Sequence, residues 1–492
     1  MEFIGIDVGS QGTKLVLLSH SGKILAEENS SYPIEYPQLG WAEQDPKHWE
    51  TATLNGLKSI ISQSKNPDKI VSIGIAAQVD GIIPIDRRGS PLHKAIVWMD
   101  RRATEEEKLI GKAIGEEEIF ATTGCNLDAS HVLPKILWLK NHTAILKKTY
   151  KLLVPASYIL FFLTGKFGLD YANASSTLMY KVKEKVWDDD ILREFAISRS
   201  LLPEIFPSTH IMGNLRKEIA VFLGLSNPPL VAVGSGDEHA ACVGAGAIDK
   251  GVAFNMAGTG EVVGASSSLP LFDKSRLVET HGHPSSEHWF LENPGFVSGG
   301  NLRWFRDNLS TIGERRLSYN DLIKDAELIP PGSEGLIFLP TLMGAMVPEC
   351  NSQARGNLYG LSLSSTRAHI TRAILEGSAY GMKDVMEALK NMGLTFSKIR
   401  VSGGGSRSRL WNQIKADVLN LPVETLSTPE TTSLGAALIG ATSYGAYPNL
   451  KIASECSIKI KDVVTPGDQR TEYEHIYPRY RDLYFSIKPL FK

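Results

Sequence analysis

"FIGIDVGSQGTKLVLL", residues Phe3 to Leu18, is an apolar run that stops at Asp7, passes through Gly9, a polar pair and Gly12-Thr13, and resumes as a second apolar run. That pattern predicts two strands joined by a tight glycine turn. Almost half a chain later, "NMAGTGEVVGAS" (Asn255 to Ser266) repeats it. One hairpin used twice predicts two similar α/β domains, 1–247 and 248–492, with the boundary near Ala247 to Gly251. The length of 492 residues allows two to three domains at about 150 residues each.

The surrounding sequence alternates strands and helices. "PKHWETATLNGLKSIISQS" reads as a helix, "KIVSIGIAAQ" as a buried strand, and "PPLVAVGSGDEHAACVGAG" as strand, glycine turn and small-residue helix. A long helix follows Ser364-Ser365, with Ile370, Ile374, Met382, Met386 and Leu389 on one stripe and Gly393 ending it. "KIRVSGGGS" and "SRLWNQIKADVLN" are strand then helix, and "GAALIGA" from Gly435 suits close helix packing, not a membrane motif.

Bulk composition narrows the function classes. Lys+Arg 52 against Asp+Glu 54 leaves a net charge of -2, so no basic surplus calls for nucleic acid or an anionic membrane. Cys125, Cys242, Cys350 and Cys456 are scattered without CxxC spacing, which suits reduced thiols. No secretory pattern opens the chain and no apolar run could span a bilayer, so cytoplasm is the expected compartment.

A glycine-tipped hairpin lets backbone N–H groups approach a ligand closely, and successive N–H groups form an anion-binding concavity. Two such hairpins across a cleft can hold a polyphosphate, with Thr13, Lys14 and Thr259 adding donors. An acid beside phosphates requires a cation between them, so Asp7 reads as an anchor for Mg²⁺ through water. The plainer reading of Asp7 is a turn-stabilising side chain. Gly403, Gly404 and Gly405 sit between a strand and a helix, where a ring or phosphate can reach the backbone. Neither they nor "GAGAID" from Gly244 match GxGxxG, which disfavours hydride transfer.

"GNLYGLSLSSTRAHITRAILE", Gly356 to Glu376, resembles the C-terminal signature of the FGGY carbohydrate kinases, within the actin/hexokinase/Hsp70 group. "LPKILWLKNH" resembles the N-terminal signature more weakly, keeping Lys135 and Trp138 with Val132 where Pro, Ser or Thr is usual. Length and motif order resemble the xylulose kinases most. The resemblance implies two actin/hexokinase-like (ribonuclease H-like) α/β domains with a cleft between them, and phosphoryl transfer from ATP, with Mg²⁺, to a ketose or polyol such as a pentulose.

By that resemblance, "DVGSQGTK" supplies Gly9, Gln11, Gly12, Thr13 and Lys14 to the phosphates, and "AGTGE" supplies Gly258, Thr259 and Gly260. "SGGGSRSRLWNQI" supplies Gly403, Gly404, Gly405 and Asn412 to the adenosine. Asp237 is the implied catalytic base and a second water-mediated metal contact; its plain alternative is a helix cap. Gln78, Val79, Asp80, Trp98, Asp100, Arg101 and Glu238 are the implied sugar contacts, with Trp98 equally suited to the core. Asp80 stands where xylulose kinases carry His and glycerol kinases Glu, which keeps glycerol and tetrose-type polyols open and counts against an acidic substrate. A non-kinase actin- or Hsp70-like ATPase is the competing class, and a homodimer is compatible with the sequence. His281, His283 and His288 lack a third ligand at a recognised spacing and are expected to be metal-free.

Overall fold

The computed structural model describes residues 1–312 and 315–491. Its halves are built on one sheet plan. The first sheet uses β1 (Glu2–Val8), β2 (Gly12–Ser19), β3 (Ile24–Ser31), β4 (Ile70–Ala77), β5 (Ile211–Asn214) and β6 (Leu230–Ala232) in the order β5-β6-β4-β1-β2-β3, with Ser235–Gly236 also pairing on β4. The second uses β7 (Gly251–Ala257), β8 (Gly260–Ser267), β9 (Glu279–Gly282), β10 (Trp289–Val297), β11 (Phe396–Ser402), β12 (Val423–Leu426) and β13 (Ile460–Val464) in the order β9-β10-β8-β7-β11-β12-β13. In each, the hairpin pairs antiparallel, its first strand pairs parallel with a later strand, and that strand pairs parallel with the next. Each sheet closes on an antiparallel edge strand. The expected α/β class with two related domains is the fold observed.

The central strands are apolar on both faces because helices cover both. Ile4, Ile6, Ile73 and Ile75 are fully buried or nearly so, as are Phe254, Ile399 and Val401 in the second sheet. One cover is unusual in its origin. Helix Thr431–Ser443, from the second half of the chain, packs on β1 and β4 of the first sheet and on helix Asp237–Gly244. Glycines make that approach possible: a Cβ at Gly74 would lie 1.8 Å from the Ala436 carbonyl oxygen, and one at Gly435 1.8 Å from that of Ala240. The Gly/Ala run is therefore a packing surface, as its composition predicted.

Helix Arg367–Asn391 is almost wholly buried, beyond the single stripe expected of it. Its Glu376 accepts hydrogen bonds from Arg372, the Tyr473 hydroxyl, the Gly332 amide and the Ser333 hydroxyl. The end of the Gly356–Glu376 segment is thus a structural knot that ties the last long helix, Arg470–Ile487, to the second domain.

Candidate active site

The parallel strands of the first sheet end together. β1 pairs with β4 so that Asp7 lies opposite Ala76 and Val8 opposite Ala77, and Ser235–Gly236 pairs with the same Ala76–Ala77. Three strand ends therefore deliver Asp7, the Gln78–Asp80 segment and Asp237 to one edge. Ligands of open α/β sheets bind outside such carboxyl ends.

Asp237 is the first residue of helix Asp237–Gly244, and its Oδ1 accepts the Glu238 amide at 3.0 Å. Burial pushes its pKa up to about 7, helped by the charge of Asp80 and opposed by backbone hydrogen bonds. Asp7 is raised well above the carboxylate range by burial and by Asp237, while Lys14 opposes the shift. The Asp237 charge thus reaches Asp7. The Asp7 Oδ1 is buried without a hydrogen-bond partner. That orphaned carboxyl oxygen suits a hydrated cation, whose charge would favour the ionised form.

Both hairpin tips have room for a ligand. The Gly9 amide donates to the Gly12 carbonyl at 3.0 Å and Gly258 to Gly260 at 2.8 Å, closing each turn. Gln11 and Gly258 to Gly260 are exposed, and Gly9 and Gly12 are half-buried. Lys14 pairs with Glu430, the residue capping helix Thr431–Ser443, at 2.7 Å. Gly403 adopts φ +79, and a Cβ there would lie 2.6 Å from the Ala257 carbonyl oxygen, at the end of the second hairpin's first strand. Gly404 faces open space and Gly405 packs on Ala257. Below them, Lys415 forms a buried ion pair with Glu261, joining the hairpin to helix Arg409–Leu419.

Around the expected sugar strand, Gln78 donates to Gln44 at 2.8 Å, and Val79 lies against Gly236. Asp80 is buried, with a backbone φ of 59°, and its Oδ1 meets His131 Nδ1 at 3.1 Å. Asp is one of the few non-glycine residues that enter the left-handed region at low cost. Burial opposes both charges, yet each outweighs it for the other: His131 holds Asp80 below the usual carboxylate range, and Asp80 holds His131 above the usual imidazole range. Lys135 donates to the carbonyls of Asp80, Val97 and Ser130, fastening the segment from below. Burial lowers its pKa to about 7. Glu238 is raised well above its ordinary value by burial and by Asp237.

Several expected contacts are turned elsewhere. Asp100 is fully buried, grips Arg102 and accepts the Ala42 amide at 2.6 Å, so its carboxylate is spent on the fold. The Thr13 hydroxyl is buried against Tyr32, whose own hydroxyl donates to the Gly9 carbonyl. Asn412 Nδ2 donates to the Ser406 carbonyl, closing the glycine loop on itself. Arg101 pairs with Asp128 near Asp80. Trp98 is 42% exposed and donates to Ser10 in the first hairpin, so it is no core residue. Sequence reading missed His131 and Glu430, because each acts from a helix start remote in sequence from the residue it meets.

The N-terminal domain of the FGGY family of carbohydrate kinases matches residues 3–244, and the C-terminal domain of that family matches residues 253–444. The chain belongs to the FGGY carbohydrate kinases. The kinase is 28% identical to the xylulose kinase of Bacillus subtilis (strain 168), across 99% of this chain and 97% of that one. It is 29% identical to the gluconokinase of the same organism, across 98% and 95%. The ligand-bound xylulose kinase of Lactobacillus acidophilus superposes with a TM-score of 0.92 at 26% identity, covering 100% of this chain and 99% of the other. The enzyme is an ATP-dependent sugar kinase. No helix among the described residues is long and apolar enough to cross a membrane.

Proposed function

We propose that this kinase phosphorylates a hydroxyl of a pentulose, xylulose or a close relative. The observation that carries the reading is the meeting of Asp7, Asp80 and Asp237 at one edge of the first sheet. Similarity to xylulose kinases in both sequence and fold supports the sugar class. The charged Asp80 carboxylate argues against a sugar acid, although a gluconokinase is among the relatives. Carboxylates accept from vicinal hydroxyls and repel a carboxylate substrate.

The residues divide the work. MgATP, when bound, supplies the transferable phosphoryl group. Asp7 holds the hydrated cation and the two hairpins present backbone amides to the phosphates. Gly403 to Gly405 take the adenosine side. Asp80, set by His131 and Lys135, orients the sugar with Gln78 and Glu238. Asp237 would accept a hydrogen bond from the acceptor hydroxyl and take its proton as the new P–O bond forms and the bond from the γ-phosphorus to the departing ADP oxygen breaks. A pKa near 7 makes Asp237 a better proton acceptor at neutral pH than an ordinary aspartate.

An ADP-release screen over ketoses, aldoses, polyols and sugar acids tests the assignment. Pentuloses should give the highest kcat/KM. Preference for glycerol, a tetritol or gluconate would replace the substrate class, and sugar-independent ATP turnover would remove the kinase mechanism altogether.

A further inference from the structure

Behind Glu238 lies a cluster that phosphoryl transfer does not use. β9 and β10 pair antiparallel in a register that sets Glu279 directly opposite Glu292. Both are buried, and each has an Oε2 without a hydrogen-bond partner. Like charges directly opposite on a sheet are destabilising, and more so away from water. His239, from helix Asp237–Gly244, is 1% exposed, and neither of its ring nitrogens has a hydrogen-bond partner. His281 lies between them, with Nε2 3.3 Å from Glu279 Oε2 and 3.7 Å from Glu292 Oε1. His239 Nε2 is 4.0 Å from that same Glu292 oxygen.

The hydrogen bonds around His281 fix what its Nε2 offers. Ser175 Oγ donates its one proton to the Ala172 carbonyl at 2.6 Å and accepts the Gly282 amide at 3.1 Å. Toward His281 Nδ1, at 3.2 Å, it can only accept. A neutral His281 therefore carries its proton on Nδ1 and aims the Nε2 lone pair at two carboxylates. An imidazole lone pair and carboxyl oxygens converging on one buried point are suited to a cation between them.

We infer that His239, His281 and Glu292, with Glu279 beside them, form a binding site for a divalent transition metal of the zinc class. The ligand atoms of His239, His281 and Glu292 all lie within 4.8 Å of one another. A tetrahedral ion with bonds of about 2.1 Å sets its ligands about 3.4 Å apart, so small side-chain shifts complete the geometry. Two imidazoles and carboxylates suit zinc, whereas magnesium prefers oxygen ligands alone. The Ser175 contact supplies the outer hydrogen bond that orients a metal-ligating imidazole. Cys125 Sγ flanks the same ring, 3.7 Å from His281 Nδ1 and 4.0 Å from Nε2, and lies within ligand distance of Glu279 and His281, so it is a further donor beside the site. The ligands come from a first-domain helix and two second-domain strands, so the ion would also fasten the domains together behind the sugar pocket.

The site is separate from the nucleotide magnesium, so it is tested without nucleotide or sugar. Tag-free protein is stripped with chelator and titrated with Co²⁺, followed by its visible absorption, and then with Zn²⁺. One equivalent of Co²⁺ should bind with a ligand-field band of low coordination number, and Zn²⁺ should displace it. His239→Gln and His281→Gln should each weaken binding more than about tenfold, while His288→Gln should bind as wild type. Zn²⁺ should also raise the Tm of stripped wild-type protein, a readout that needs no variant. Absence of the band and of the Tm shift in wild type, or undiminished binding in both His variants, would overturn the site. Neither result bears on sugar-dependent ADP release, so the kinase reading stands or falls separately.

Discussion

Asp237 serves catalysis at the expense of the fold. Its raised pKa means that the folded chain binds its proton more tightly than the unfolded chain does. This group's contribution to stability is therefore full below the unfolded value, near 3.9, and is lost as pH rises toward about 7. Asp237→Asn should accordingly melt a few degrees higher than wild type at pH 8, while losing about 10²- to 10⁴-fold in kcat. A lower Tm in the variant would show that the carboxylate is well solvated. A base must be ionised to act, so kcat/KM should fall tenfold per pH unit below about 7. A profile flat from pH 5.5 to 8 would remove the assignment. Asp80 acts differently, by binding. Asp80→Asn should raise the sugar KM by about tenfold or more, the scale of a charge-assisted hydrogen bond, with the ATP KM little changed. His131→Gln should move the same parameter in the same direction, since it acts through Asp80; an altered ATP KM in either variant would place the pair elsewhere.

Among the elements, helix Thr431–Ser443 has the least tolerance. Its glycines meet backbone, not flexible side chains, across the interface with β4 and helix Asp237–Gly244. Gly74→Ala or Gly435→Ala should cost at least about 2 kcal/mol, the scale of overpacking a rigid core; urea midpoints within error of wild type would contradict that packing. The run from Gly435 was legible from its composition, because small size is itself the signal, whereas Gly74 was legible only as part of a buried strand. Helix Arg470–Ile487 was not. It buries Tyr473, Ile476, Tyr480 and Tyr484, so its apolar face is built largely of tyrosines in an otherwise charged segment, interrupted by Pro478. The Gly356–Glu376 segment gave the family away, yet its Glu376 is a structural residue, whereas His131 and Glu430 carried no local pattern. Sequence spacing finds strand–turn–strand units and misses partners that only the tertiary fold brings together.

For the whole molecule, the repeated sheet plan explains why two short glycine turns were enough to read the architecture. Each hairpin is the central β1–β2 or β7–β8 unit of its sheet, and the remaining strands follow by the same pairings. Two such sheets joined through helices invite hinge motion, and closing over the substrate excludes the water that would otherwise accept the phosphoryl group. Sugar plus nucleotide should therefore reduce the radius of gyration in small-angle scattering, and identical curves with and without both ligands would contradict closure. The central claim is narrower: one carboxylate at the edge of the first sheet guides a carbohydrate hydroxyl into the phosphoryl group. The most direct measurement is the stoichiometry of ADP and sugar phosphate formed from ATP and xylulose by wild type and by Asp237→Asn. Wild type should give one sugar phosphate per ADP, and the variant should lose both products together. A variant that keeps most of its sugar-phosphate production, or a wild type whose ADP release ignores the sugar, would contradict it.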